Sequence, residues 1–146
     1  MKITICSSAA FYKDIFPIKE ELEKLGFEVL IPISAEKMKK SENFKVSDYK
    51  TWYNNPDDFE KKAFLMKNHI NKVKEGDAVL VLNLKKNNVS GYVGGNVLLE
   101  MFYGWINKKA IFLLNPVEKE LQLYEEVMGM TPIILNGDLS QIAKSK

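Results

Sequence analysis

Residues 77–84 read DAVLVLNL, and this run constrains the fold more than any other stretch of the chain. Six of its eight residues are apolar, with no alternation of apolar and polar positions. A strand wet on one face alternates; a strand covered on both faces does not, and such strands belong to the interior of parallel sheets. Parallel neighbours cannot be joined by a tight turn and need a long crossover, usually a helix. The rest of the chain should therefore alternate strand and helix. Lys2–Cys6 (KITIC) is a β-branched first strand. Residues 27–31 (FEVLI) form a second strand stopped by Pro32, 110–114 (AIFLL) a fourth, and 132–135 a short fifth.

The intervening segments carry helical spacing. Residues 12–25 place Phe16, Ile18, Leu22 and Leu25 on one face, with Pro17 as a point where the regular helix can begin and Gly26 as its end. Asp57 or Asp58 is the expected cap of the next helix, whose stripe is Phe59, Ala63, Met66, Ile70 and Val73 before Gly76. Further helices are expected at 96–107 and 117–128. Asn136-Gly137 reads as a turn, with Asp138 capping a last short helix. The whole gives an α/β, flavodoxin-like, three-layer α/β/α domain over residues 1–146, with a five-stranded parallel sheet in the order 2-1-3-4-5. Ligands of such sheets sit outside the carboxyl ends of the strands, at the switch between strands one and three. The loops expected there are 7–11 and 85–95.

Residues 34–57 fit no regular element of the sheet. They are polar and lysine-rich, yet contain Phe44, Tyr49, Trp52 and Tyr53, which argues against plain disorder. A stretch of that length is usually a lid or binding loop, and a short helix over 46–53 is compatible with it.

Composition excludes several function classes. The net charge is +2 with scattered lysines, so there is no electrostatic footprint for nucleic acid. No segment approaches the ~20 apolar residues of a membrane span. The opening MKITICSSAAF has too short an apolar run for a signal peptide, so a cytoplasmic protein is expected. Cys6 is the only cysteine and His69 the only histidine. That pair cannot furnish an ordinary zinc site, and neither metal nor cofactor is expected.

Glu100 is the chemical oddity. It is the only acid between Asp77 and Glu118, in a helix with Val97, Leu98, Leu99, Met101, Phe102 and Trp105 around it. A helix apolar nearly all round is normally buried, and a buried carboxylate without a partner is costly. Glu100 follows the first helical turn, where free N–H groups and the dipole favour an anion. A glutamate on a narrow wet strip, or paired with a lysine, fits the spacing equally well. Gly91, Gly94 and Gly95 ahead of it are either a phosphate cradle or turn residues. No P-loop lysine motif and no GxGxxG after the first strand is present. Ser7 and Ser8 either bind a ligand or close a turn; Trp52 and Tyr53 either stack on a base or pin their loop. His69, one residue before Ile70 of its stripe, reads as half-buried and polar, and Cys6 as a small buried hydrophobe.

DAVLVLN followed by GYVGGNVLLEMFYGWINKKAIFLLN resembles the nucleoside 2-deoxyribosyltransferase-like family, which includes base-swapping transferases and deoxynucleoside 5′-monophosphate N-glycosidases. The resemblance extends loosely over residues 2–135 and is specific over 77–115. It implies that Glu100 is a nucleophile at the sugar C1′ and that His69 stands where the family has an aspartate assisting the leaving base. The expected substrate contacts are Ser7, Ser8, Trp52, Asn83, Gly94, Gly95, Asn96 and Met101. The reaction implied is N-glycosidic cleavage or transfer on a nucleoside or its 5′-monophosphate through a glycosyl-enzyme ester. The alternative is a non-catalytic nucleotide-binding or sensing module. A homo-oligomer, dimer or higher, is the expected assembly. Three positions depart from the family pattern: His69, Phe102 where a small residue is common, and Gly94 where the monophosphate hydrolases carry a serine.

Overall fold

The structure, a computed structural model, describes residues 1–145. Its five strands are β1 (Lys2–Cys6), β2 (Glu28–Leu30), β3 (Ala78–Val81), β4 (Ala110–Leu113) and β5 (Ile133–Ile134). They pair in parallel in the order β2-β1-β3-β4-β5, the expected flavodoxin-like arrangement. The helices are α1 (Tyr12–Lys24), α2 (Ile33–Ser41), α3 (Phe59–Glu75), α4 (Gly95–Ile106), α5 (Tyr124–Gly129) and α6 (Gln141–Lys144).

The two-residue period of each strand splits the core in two. Ile3, Ile5, Ala78, Leu80, Phe112 and Leu114 face one side, with Ile15 and Leu22 of α1 and Ile142 of α6. Cys6, Val79, Val81, Ile111 and Leu113 face the other, with Val73 of α3, Val97 and Met101 of α4, and Val127 of α5. Both faces of the central strands are covered, which is why β3 reads as a continuous apolar run. No helix among the described residues is long and apolar enough to cross a membrane.

Several local expectations are corrected. Residues 34–57 are not a structureless loop: they contain most of α2 and 3-10 turns at Val46–Asp48 and Thr51–Tyr53, with another at Pro56–Asp58. Pro17 lies inside α1 without breaking it, because the bond it removes would have gone to the exposed first turn. Neither Asp57 nor Asp58 caps α3 with its side chain; Asp58 accepts a hydrogen bond from Thr51 Oγ1 instead. Ser140, not Asp138, is the N-cap of α6; the Asp138 carboxylate accepts from Ser140 N and Oγ, and its carbonyl from Gln141 N. Residues 117–123 are not helical. They make i→i+3 turns that drop Leu121 into the core, and α5 starts at Tyr124.

Candidate active site

β1 ends at Cys6, whose side chain points to the α3/α4 side of the sheet. There His69 of α3 and Glu100 of α4 meet it. The Cys6 Sγ to His69 Nε2 distance is 3.5 Å, and His69 Nε2 to Glu100 Oε2 is 3.6 Å. All three residues are buried. His69 and Glu100 open onto a cavity of about 520 Å³.

Helical periodicity builds the site. Asn96 and Glu100 are one turn apart on α4, and Asn96 Nδ2 donates to Glu100 Oε1 at 2.9 Å. Glu100 Oε2 is buried with no hydrogen-bond partner. On α3, Lys62, Met66 and His69 share the face that lines the cavity. That is why the expected core stripe fails in the first half of α3. Phe59 and Ala63 are exposed, and the inward face there is given over to the pocket.

Burial controls the electrostatics. It raises the Glu100 carboxyl to about 7, against smaller opposing effects of the Cys6 thiol and the Lys62 ammonium. Glu100 is the sixth residue of α4, and its one hydrogen-bonded oxygen is taken by Asn96, not by the helix N-terminal amides. The expected ionising influence of the helix start is therefore outweighed. Burial also lowers His69 to about 4, so the ring is neutral at pH 7. Its Nε2 lies 3.0 Å from the Ile5 carbonyl oxygen, an acceptor, and so carries the proton. Nδ1 is then a lone-pair acceptor, buried and without a partner. The His69–Glu100 approach is thus a contact with a neutral imidazole, not an ion pair. Burial, then the charge of Glu100, pushes the Cys6 thiol well up.

Cys6, His69 and Glu100 place one donor atom each within 4.8 Å of one another, a spacing compatible with a metal. The His69 nitrogen facing the other two donors is however the one bonded to Ile5. As arranged, Cys6 and His69 contact each other and pack against a carboxylate oxygen that neither hydrogen-bonds.

The other anticipated residues divide. Trp52 and Asn96 line the cavity with Glu100 and His69. Tyr53 is 77% exposed, outside it. Ser8 caps the turn Ala9–Phe11 and accepts from Lys86 Nζ at 3.0 Å, while Ser7 Oγ bonds the Ser8 carbonyl, so both close the turn. Asn83 is fully buried and locks β3 to β4: it donates to the Asn115 and Gly91 carbonyls and accepts from Asn115 N. Met101 is packed in the core. Gly94 is the N-cap of α4, and Gly95 has open space where a Cβ would stand. Gly91 is committed to the fold, with φ +70° and the Pro116 carbonyl where a Cβ would go. Phe102, a departure from the family pattern, is 51% exposed and is not part of the cavity wall.

The cavity also lies to one side of the position expected from the topology. Ala9 and Tyr12 after β1 and Asn96 after β3 contribute, but the main walls are α3 and residues 33–52 after β2. The long polar segment is thus a pocket wall. Tyr49, one of the aromatics of residues 34–57, lines the cavity, and so do Tyr12, Lys37, Lys50 and Lys62, which were not singled out in the sequence. For Lys62, the spacing of seven from His69 was the available clue. Burial, then the charges of Glu100 and Cys6, raises the Tyr12 phenol.

A 2-deoxyribosyltransferase from the psychrotolerant bacterium Bacillus psychrosaccharolyticus superposes with a TM-score of 0.53 over 84% of this chain and 78% of that one, at 19% identity. The chain has the nucleoside 2-deoxyribosyltransferase-like fold. No family model matches it, and a search of curated proteins returns no match. The shared fold extends through most of the chain, well past the 77–115 segment on which the sequence resemblance is specific.

Proposed function

We propose that the protein cleaves or transfers the N-glycosidic bond of a nucleoside or its 5′-monophosphate, with Glu100 as nucleophile. The observation that carries this reading is the bare Oε2 of a buried carboxylate at a cavity of nucleoside-accommodating size. The ionised Oε2 attacks the anomeric carbon, the C1′–N bond breaks, and its electron pair leaves with the base, whose nitrogen takes a proton from water. Water or a second base then attacks C1′ from the vacated face, gives up a proton to solvent and regenerates the carboxylate, so the two inversions retain configuration. Asn96 holds the other carboxylate oxygen and fixes the plane of attack. The solved structure that shares the fold is described as a biocatalyst for the synthesis of antiviral and antitumoral nucleosides, which accords with this substrate class.

His69 orients the base through Nδ1, the nitrogen without a partner, and supplies no proton to it near neutral pH. In the neutral ring Nδ1 accepts a hydrogen bond from the base. Delivering a proton requires the imidazolium, which burial confines to about pH 4 and below. The same observation favours a second reading, a nucleotide-binding module without turnover. Incubation with deoxynucleosides, ribonucleosides and their 5′-monophosphates, followed by chromatography for free base, separates the two. Base release that is lost in Glu100→Ala supports catalysis. Release that persists in Glu100→Ala removes Glu100 from the mechanism, and binding without release favours the module.

We further propose a homo-oligomer joined through the outer face of α4, supported by the exposure of Leu99, Phe102, Trp105 and Ile106.

A further inference from the structure

The cavity has a graded polarity that the reaction at Glu100 does not account for. Glu100 and His69 lie buried at one part of its wall; Lys50 and Lys62 are half-buried, and Lys37 is exposed. Four lysines line it (Lys37, Lys50, Lys61 and Lys62) against two glutamates, Glu60 and Glu100. Lys61 is paired with Asp58 at 3.5 Å. Among the described residues, Lys37, Lys50 and Lys62 have no carboxylate at ion-pair distance.

Lys62 is the informative member. Its ammonium sits 5.5 Å from the centre of the Trp52 ring, itself part of the cavity wall. Burial disfavours its charge, and Lys50 disfavours it further, while the Glu100 carboxylate favours it less strongly. A half-buried cation near a second cation, with no carboxylate at ion-pair distance, is a costly arrangement. Surface lysines that merely solubilise a domain avoid it by pointing their ammonium groups into water. Lys50 and Lys62 instead are half-buried in the wall of the cavity that holds the nucleophile. A bound dianion removes both costs, since it neutralises two ammonium groups that repel each other.

We propose that Lys50 and Lys62 form the binding site for the 5′-phosphate of the substrate, so that the preferred substrate is a nucleoside 5′-monophosphate rather than a free nucleoside. The inference rests on the glycosidic reading for the identity of the ligand, since the sugar must place C1′ at Glu100 and the phosphate at the lysines. A phosphate monoester carries between one and two negative charges near neutral pH and three acceptor oxygens, matching two ammonium groups. Lysine acts here as a point charge on a flexible stem, the form suited to a terminal phosphate rather than to a planar carboxylate.

The test uses the four common 2′-deoxynucleosides and their 5′-monophosphates. Affinity is measured by calorimetry on Glu100→Gln, which binds without turnover, and base release is measured separately on the wild type. Each monophosphate should bind about 10-fold or more tightly than its nucleoside, as expected for charge-assisted bonds to two cations. Rising salt should shrink that ratio, and inorganic phosphate should compete with the monophosphates. Lys62→Met and Lys50→Met, added to Glu100→Gln, should each bring the ratio towards one, while Lys62→Arg should keep it. Equal affinity for the two members of each pair overturns the inference, as does a ratio that survives both methionine substitutions. Phosphate-dependent binding with no base release leaves this site standing and removes the glycosidic reading. Base release with no phosphate preference does the reverse. Binding of neither class removes both.

Discussion

Asn96 Nδ2 donates to Glu100 Oε1 at 2.9 Å across one turn of α4, leaving Oε2 as the buried oxygen without a partner. The bond selects which oxygen is free. It also stabilises the ionised form, because a donor helps a carboxylate more than a carboxylic acid. Asn96→Ala should raise the pH at which base release is half-maximal. It should also lower kcat by about 10-fold or more at neutral pH, the scale of one hydrogen bond to a charged group. Asn96→Asp, which sets a like charge one turn away, should shift the profile further up. A pH–rate profile unchanged in both variants would remove Asn96 from the site.

Glu100 and His69 make opposite contributions to stability as pH changes. Burial raises Glu100 to about 7 from 4.5, so between those values the folded state holds a proton the unfolded state has lost. Its stabilising effect is complete below about 4.5 and declines until about pH 7. His69 is lowered to about 4 from 6.5, so between those values the unfolded state holds the extra proton, and stability rises with pH. Each shift is worth about 3 kcal/mol across its window. The wild type should therefore be nearly flat in stability between pH 4.5 and 6.5 as far as this pair is concerned. Glu100→Gln should unmask the rise due to His69, and His69→Asn the fall due to Glu100. Denaturant titrations at several pH values read this directly, and parallel curves for all three proteins would contradict it. Base release should climb through about pH 7 as Glu100 ionises.

The sheet was legible in the sequence for a definite reason. β3 and β4 are covered on both faces, so burial leaves a short unbroken apolar run, which its length and flanking breakers separate from a buried helix. Glu100 was legible by contrast, as one carboxylate in an apolar helix. α2 was not legible, because ISAEKMKKS buries only Ala35 and Met38, too narrow a stripe to stand out. Nor were the cavity-lining lysines, since a lysine's role depends on what it faces across the fold. Asn83 and Asn115 show the same limit. Their mutual bonds span 32 residues of sequence, and no local pattern announces them. His69 was expected to be half-buried, but its burial depends on Cys6 and Glu100, which arrive from two other elements.

The glycines before Glu100 should separate by substitution. Gly91 has φ +70° and would place a Cβ 2.0 Å from the Pro116 carbonyl oxygen, so Gly91→Ala must displace backbone. A loss of about 3 kcal/mol or more is expected from strain and clash together. Gly95 is the first residue of α4 and would place its Cβ in open space. Gly95→Ala should leave stability unchanged or raise it by up to about 1 kcal/mol. If phosphate lies at Lys50 and Lys62, Gly95→Ala should also preserve the affinity ratio between monophosphates and nucleosides. A collapse of that ratio would instead place the phosphate against the glycine backbone. Thermal unfolding and calorimetry on the two variants check both halves.

The outer face of α4 supplies the last prediction. Leu99, Phe102, Trp105 and Ile106 are each at least 40% exposed, and Phe102 and Trp105 are in ring contact at 5.9 Å. Scattered exposed hydrophobes are ordinary, but four on one helix form a contiguous apolar surface of the kind that marks an interface. A two-fold dimer would set this face against its own copy, doubling each contact. Sedimentation velocity should show a wild-type mass that increases with concentration towards a dimer or higher. Phe102→Asp should return the protein to monomer, because it puts a charge into the centre of the apolar face without entering the core. Since the opposite side of the same helix holds Asn96 and Glu100, disruption should also lower base release at concentrations where the wild type is associated. A monomeric wild type at all concentrations, or a Phe102→Asp variant with unchanged mass, would reject this face as the interface.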